Sequence, residues 1–294
     1  MKVRFVVNPV AGGGERVEEI TGAVREVLAH KRGIFEIKVS SSRHDTYRLA
    51  EEARDRGYEA VFACGGDGTV NQVASAVVNS RTVLGVIPVG SGNGLARSLD
   101  IPMNIKWAVS VLVKGRTRYI DVGTVCGRYF FSTAGVGFDA AVCKGYAAWT
   151  RLLRRRGILP YVPVVLKEFF TRRPDSVTVA WDDESIHGRP LILTVANTRE
   201  YGAGAVIAPD AEPDDGLLDV SMVESPGLLG AIDVARRFFA GSIAGSRYFR
   251  SVQAPVVDVI REVPGLIHVD GETFAAGTRI RFGILPHALR VWAF

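Results

Sequence analysis

The rhythm of apolar and polar positions changes once along this chain. In the first third, apolar runs of strand length alternate with stretches of helical spacing. Val3–Val7 is an apolar run that ends in Asn8-Pro9, a turn signal. Between Glu15 and His30 the apolar residues Val17, Ile20, Val24, Val27 and Leu28 recur at helical spacing. Ile34–Val39 alternates as a strand does, and Thr46–Arg56 reads as a helix. Ala60–Cys64 is a second buried strand, Val70–Val78 a small-residue helix, Val83–Pro88 a further strand, and Leu95–Leu99 is helical. This βαβα order predicts an α/β fold, a parallel sheet covered by helices.

Near Tyr119–Thr124 the pattern turns to strands. They are predicted at Tyr129–Ala134, Ser176–Trp181, Leu191–Ala196, Leu217–Val223, Val256–Arg261, Leu266–Val269, Arg279–Ile284 and Leu289–Phe294. Two helical stretches interrupt them, around Ala140–Thr171 and Leu228–Ile243. The expected organisation is an N-terminal α/β domain over residues 1–122 and a β-rich domain over 123–294, with the last strand returning to the first domain. A length of 294 residues with 47% hydrophobic content suffices for two cores.

Composition narrows the class. The three cysteines, Cys64, Cys126 and Cys143, are scattered and show no metal-binding spacing, so a reduced, cytoplasmic protein is expected. The first residues lack the features of a secretory signal, and no apolar run reaches the roughly 18 residues of a spanning helix. The net charge of +5 favours anionic partners. Part of it is concentrated in Arg151, Arg154, Arg155 and Arg156, beside Trp149 and followed by Arg172 and Arg173. This run reads either as a solvated helix face or as a patch that meets an anionic membrane surface.

Three loops carry candidate chemistry. In Gly65-Gly66-Asp67-Gly68-Thr69 a buried strand ends on glycines, and a helix containing Asn71 follows. Glycines allow a phosphate close to the backbone, and the helix start favours negative charge. Asp67 would repel a phosphate, so its presence calls for a divalent cation between the two. The plain alternative is a tight turn with Asp67 as helix cap. Gly90-Ser91-Gly92-Asn93-Gly94 follows another strand, and Asn8–Gly14 follows the first. Three such loops at strand ends line one rim of an open sheet, where α/β folds bind ligands.

Gly135-Val136-Gly137-Phe138-Asp139-Ala140 fits GxGxxA, but no acid stands about 20 residues on, where a dinucleotide site needs one. There is also no P-loop motif. In the second half, Asp214-Asp215-Gly216-Leu217-Leu218-Asp219 is a turn or a hard-cation loop. His268-Val269-Asp270-Gly271-Glu272 sets two carboxylates around a glycine. It reads as a hairpin turn or as the source of a general base for a hydroxyl nucleophile.

Together these segments resemble the diacylglycerol kinase catalytic family, which includes bacterial lipid kinases and sphingosine and ceramide kinases, and the resemblance runs over essentially the whole chain. Asn8-Pro9 with its glycines is similar to the family's first loop, Gly65–Thr69 to its GGDGT signature and Gly90–Asn93 to its G-[ST]-x-N loop. Asp121 matches an acid at the domain junction, Asp215-Gly216-Leu217 the DGxL loop and Asp270-Gly271-Glu272 the DGE turn. The resemblance implies an NAD-kinase- and phosphofructokinase-like nucleotide-binding domain and a Mg2+-dependent transfer from ATP to a lipid hydroxyl. It further implies that Asn8, Pro9, Gly12, Gly13, Ser40, Gly65, Gly66, Asp67, Gly68, Thr69, Asn71, Gly90, Ser91 and Asn93 contact the nucleotide. Glu212, Asp215 and Leu217 would hold a structural magnesium, Glu212 and Leu217 through carbonyls. Asp67 and Asp121 would organise a catalytic one through water, and Asp270 or Glu272 would accept the proton.

Two departures bear on the substrate. Gly94 stands where many bacterial diacylglycerol kinases carry an acid, and GSGNGLA is more similar to sphingoid-base kinases. The acid those enzymes use for the substrate amine falls on Cys143, with Asp139 displaced from it. The expected partner is a membrane lipid met at an anionic surface by a peripherally bound protein, with no nucleic acid; pairing into a homodimer stays open. The rival readings are a sphingoid-base kinase, a soluble-substrate kinase of the NAD-kinase type and a non-catalytic lipid-binding protein.

Overall fold

The structure is a computed structural model and describes residues 1–11, 16–153 and 160–293. Gly12 and Gly13 of the first loop, and Arg154, Arg155 and Arg156 of the basic run, lie outside the described residues. The chain forms two compact units, Met1–Val122 with Pro286–Phe294, and Gly123–Leu285.

The first unit follows the predicted alternation: β1 (Lys2–Val7), α1 (Arg16–Leu28), β2 (Ile34–Val39), α2 (Arg43–Asp55), β3 (Ala60–Gly65), α3 (Asp67–Val77), β4 (Val83–Pro88), α4 (Gly94–Ser98), α5 (Ile105–Lys114) and β5 (Arg116–Val125). β1 pairs in parallel with both β2 and β3, and β3 in parallel with β4. β3 and β4 are buried along their whole length, as strands covered on both faces are. From β1 the chain crosses to β2 on one side, while β3 and β4 extend the sheet on the other. Right-handed crossovers then put α1 and α3 on opposite faces and make the β1/β3 boundary a topological switch point. α1 packs beside α5 and α2 beside α3. Two elements differ from the sequence reading. α3 starts at Asp67 instead of Val70, so the GGDGT acid sits in the first helical turn. α5 was not predicted; its buried Ile105, Ala108, Val109, Val111 and Leu112 hold it to the unit's core.

In the second unit the chain continues from β5 through β6 (Arg128–Phe130), β7 (Thr133–Gly137), α6 (Phe138–Leu153), α7 (Tyr161–Thr171), β8 (Val177–Trp181), β9 (Glu184–Gly188), β10 (Pro190–Ala196), β11 (Glu200–Gly202), β12 (Ala205–Val206), β13 (Leu218–Glu224), α8 (Leu228–Phe239), β14 (Phe249–Ala254), β15 (Val256–Arg261), β16 (Gly265–Val269), β17 (Glu272–Ala276) and β18 (Arg279–Ala293). One sheet runs β14-β13-β10-β7-β16-β17. The first half of β18 pairs with β15, β15 with β8 and β8 with β9. Inward residues of both layers interdigitate, among them Val136, Leu193, Val220, Ile267, Val179, Val259 and Phe282, which makes a β-sandwich core. The other face of the six-stranded sheet is covered by the helices. Phe138 and Val142 of α6, Val164 of α7 and Val234 of α8 meet Ile192, Ala196 and Val223 there. The two strands expected at the C-terminus are one strand, β18, with His287 at positive φ (51°) inside it. Its end returns to the first unit, where Val291 pairs in parallel with Leu84 of β4.

Candidate active site

In the first unit the loops that follow β1, β3 and β4 leave the sheet at the same end, because the three strands are parallel. Asn8 closes β1: its amide donates to the Cys64 carbonyl at 3.0 Å and its side-chain Nδ2 to Thr69 Oγ1 at 2.9 Å. The first loop is thereby tied to the first turn of α3. Ser40 lies against the end of the same strand, its amide donating to the Val7 carbonyl at 2.9 Å. Thr69 and Asn71 are buried on α3, while Ser91 is exposed.

Asp67 decides the arrangement of the second loop. Its carboxylate accepts the Asn93 amide at 2.9 Å on Oδ2 and the Gly94 amide at 2.7 Å on Oδ1. The N-cap position of α3 is Gly66, which has no side chain to offer. Asn93 is left-handed (φ 56°), and its side chain accepts from the Gly90 amide at 3.0 Å and donates to the Gly90 carbonyl at 2.8 Å. A Cβ on Gly90 would overlap the Gly66 Cα, and one on Gly92 would stand 2.6 Å from Asp67 Oδ2. Glycine is therefore required for the two loops to touch. Burial pushes the Asp67 carboxyl above its ordinary pKa, while the amides of Gly94, Asn93 and Asp67 itself, and Arg97, pull in the opposite direction. A nearby cation would favour the charged form. Asp121 is fully buried on β5, and its Oδ1 accepts the His287 amide at 2.7 Å, which pins β18 to β5.

In the second unit the DGE segment is the two-residue turn of the β16–β17 hairpin. Val269 pairs with Glu272, and Asp270 (φ 45°) and Gly271 (φ 83°) are both left-handed, as such a turn requires. The two carboxylates have different surroundings. Asp270 accepts the amides of Phe131 at 3.0 Å, Ser132 at 2.9 Å and Thr133 at 3.2 Å, and its own amide donates to the Thr133 carbonyl at 2.8 Å. It anchors the hairpin to the chain between β6 and β7. Glu272 is half-buried on the first residue of β17.

The DGxL segment is a turn closed by Asp215, whose Oδ1 accepts the Leu217 amide at 2.9 Å, with Gly216 at φ 78°. Glu212 is ion-paired with Arg199. Behind this turn Asp219 is buried. Gln253 donates to its Oδ1 at 3.1 Å, and its Oδ2 has no hydrogen-bond partner. Burial, with Asp215, Asp210 and Glu212 adding to it, pushes the Asp219 carboxyl up to about 6. A buried carboxylate oxygen left without a donor, beside further acids, suits a cation at this turn. Among the described residues no three His, Cys, Asp or Glu side chains already converge as a ligand set.

The sequence reading missed a buried polar row on the helix-covered face of the six-stranded sheet. His268, Gly135, Thr194 and Ser221 are cross-strand neighbours on β16, β7, β10 and β13. Asp139 of α6 lies over them, accepting hydrogen bonds from Thr194 and, at 2.7 Å, from Tyr201. A Cβ on Gly135 would collide with His268 Nε2 and stand 2.7 Å from Asp139 Oδ2. That collision accounts for the first glycine of the GxGxxA segment without a dinucleotide. Single polar residues inside the apolar runs of β10, β13 and β16 were the available signal. Burial raises Asp139 to about 7, with the bonds from Thr194 and Tyr201 opposing it, and lowers His268 to about 4. Burial together with the Asp139 charge raises Cys143 to about 12.

A carboxyl with a raised folded-state pKa adds stability below its unfolded pKa, near 4, and that stability is lost as pH rises through about 7. Wild type should therefore lose stability relative to Asp139→Asn between about pH 4 and 7, by up to about 1.4 kcal/mol per pH unit. Denaturant melts of both proteins across this range check it. A difference independent of pH would mean that Asp139 is ionised in the folded chain.

Comparison with known proteins agrees with the two-unit architecture. Residues 2–125 match the sequence model of the diacylglycerol kinase catalytic domain, and residues 132–293 that of the YegS C-terminal NAD kinase beta sandwich-like domain. A diacylglycerol kinase of Mycobacterium tuberculosis is 30% identical over 298 residues, with 99% of this chain and 94% of that protein covered. This chain belongs to the diacylglycerol kinase and YegS-like lipid kinase family. A Pseudomonas aeruginosa family member, named a probable YegS-like lipid kinase, is 31% identical over 297 residues, covering 99% of this chain and 93% of its own. The family fold is also seen in the crystal structure of a diacylglycerol kinase from Bacillus anthracis. It superposes with a TM-score of 0.76 at 20% identity, over 100% of this chain and 97% of that one. An NAD kinase from Archaeoglobus fulgidus, solved in complex with ATP, has a TM-score of 0.55 at 12% identity, over 99% and 93% of the two chains. The lipid kinase family and the NAD kinases thus share the fold, an α/β domain followed by a β-sandwich.

Proposed function

We propose that this protein transfers the γ-phosphoryl group of ATP to a hydroxyl of diacylglycerol or a closely related membrane lipid. The observation that carries the reading is the junction of the two glycine loops, held by Asp67 at the end of a parallel sheet beside its switch point. There Asn8, Pro9, Ser40, the Gly65–Asn71 segment, Gly90, Ser91 and Asn93 would border the phosphates and sugar, with the N-terminus of α3 and the exposed Ser91 turned to them.

In the proposed reaction the lipid hydroxyl oxygen bonds to the γ-phosphorus. The bond from that phosphorus to the β,γ-bridging oxygen breaks and ADP leaves. Glu272 takes the hydroxyl proton; Asp270, whose oxygens are occupied by three amides, sets the position of the turn. Asp67 and Asp121 would organise a magnesium ion through water, and the Glu212, Asp215 and Leu217 turn would hold a second, structural one. The ion near Asp67 would screen phosphate charge and allow carboxylate and nucleotide to approach each other.

Incubation with labelled ATP and a panel of diacylglycerol, sphingosine and NAD tests the substrate class. Labelled phosphatidic acid is the expected product. Label on NAD alone, or on nothing, would overturn the proposal, and label on sphingosine would move it to the sphingoid-base kinases. For the structural ion, magnesium should raise the melting temperature of wild type and not that of Asp215→Ala. An equal rise in both proteins would remove the ion from this turn.

A further inference from the structure

The helical layer of the second unit is turned partly inside out. Val164 of α7 and Val234 of α8 point into the same core cluster on the sheet, so the opposite sides of both helices face away from it. Those sides are not polar. On α8, Leu229 is 83% and Ile232 62% exposed, with Leu228 and Phe239 on the same face. On α7, Phe170 is 67% exposed, and Leu166 lies one turn before it. Single exposed apolar residues are ordinary, but six large ones on two helices over one core mark a surface that meets another apolar phase.

The charges on this layer select the partner. Among the described side chains of α6, α7, α8 and the two residues after α7, the exposed charged groups are Lys144, Lys167, Arg173 and Arg236, all basic. The acids are withdrawn. Asp139 is buried, Glu168 and Asp233 are half-buried, and Asp233 is bound by Arg237 at 2.7 Å. Arg236 stands within the apolar face of α8, its side chain 72% exposed although one of its nitrogens pairs with Asp233 at 3.4 Å. A second copy of the chain docked by this face would bring like charges together in an apolar contact. A bilayer with anionic headgroups receives apolar side chains below its headgroups and cations among them.

We propose that the outward faces of α7 and α8 form a membrane-docking surface that inserts Leu229, Ile232 and Phe170 into anionic bilayers. The surface rests on the lipid-kinase reading for its purpose but not for its test. Binding is measured without ATP, by co-sedimentation with vesicles of phosphatidylcholine containing phosphatidylglycerol, and with phosphatidylcholine alone. Wild type should bind the anionic vesicles. Leu229→Ser/Ile232→Ser should bind about tenfold or more weakly, from the loss of two inserted side chains. Arg236→Glu should lose affinity for anionic vesicles only. Both proteins should keep wild-type melting temperatures, because the altered side chains face away from the core. With detergent-dispersed diacylglycerol both should keep wild-type turnover, so failure of the kinase reading would appear there and not in the vesicle assay. Vesicle binding by the double variant equal to wild type would overturn the proposal. So would absence of binding by wild type, or a change from dimer to monomer in the double variant with vesicle binding unaltered.

Discussion

Asp67→Ala is expected to lower kcat by at least about a hundredfold, roughly 2.7 kcal/mol of barrier. Two consequences combine. The site loses the carboxylate proposed to organise magnesium beside the phosphates, and it loses the acceptor that holds the Asn93 and Gly94 amides at 2.9 and 2.7 Å. Without that acceptor the Gly90–Gly94 loop is free to move away from Gly66, and two part-buried amides lose their partner. Hydrogen bonds to a charged group contribute about 1.5–3 kcal/mol each, so a lower melting temperature should accompany the loss of turnover. Asp67→Asn separates the two roles. It retains one acceptor oxygen for the loop but no charge, so it should recover much of the melting temperature and little of the activity. Steady-state turnover and thermal melts of the two variants check this. More than about a tenth of wild-type kcat in Asp67→Ala would remove Asp67 from the chemistry.

Glu272→Gln and Asp270→Asn should fail in opposite ways. If Glu272 takes the hydroxyl proton, the isosteric amide should lower kcat by about 10²–10⁴-fold. Folding and ATP affinity should stay near wild type, because glutamine keeps the size and shape of the side chain and the hairpin stays anchored through Asp270. The Asp270 carboxylate meets three consecutive amides, and an asparagine turns an NH₂ group towards at least one of them. Asp270→Asn should therefore lower stability by about 1–3 kcal/mol, the range for an unsatisfied buried donor. It should lose activity through displacement of the turn. Denaturant melts, nucleotide titration and single-turnover rates distinguish the two patterns. A destabilised Glu272→Gln, or a stable and inactive Asp270→Asn, would exchange the two assignments.

The exposed face of α8 shows where a local reading of the sequence stops. The sequence predicts a helix over Leu228–Ile243, but spacing does not say which side faces the core. The apolar positions 228, 229, 232 and 239 form a stripe that a periodicity argument would bury. In the structure Val234 and the half-buried Phe238 take the inward side, and that stripe faces out.

By itself the sequence determined the alternation of strands and helices up to Leu99, the change to strands after Val122, and the three polar loops after β1, β3 and β4. These follow from periodicity and turn chemistry, which act over a few residues. It also carried the GGDGT, DGxL and DGE segments in family order. Only the tertiary structure decided what the carboxylates do. Asp67 binds amides 26 and 27 residues further on, and Asp270 binds amides 137 to 139 residues earlier. His268, Gly135, Thr194 and Ser221 form a row under Asp139 only because their strands pair in that register. An acid's role depends on the donors that surround it. Here those donors are backbone amides, which every residue except proline carries, so the side-chain pattern does not reveal which of them the fold will deliver.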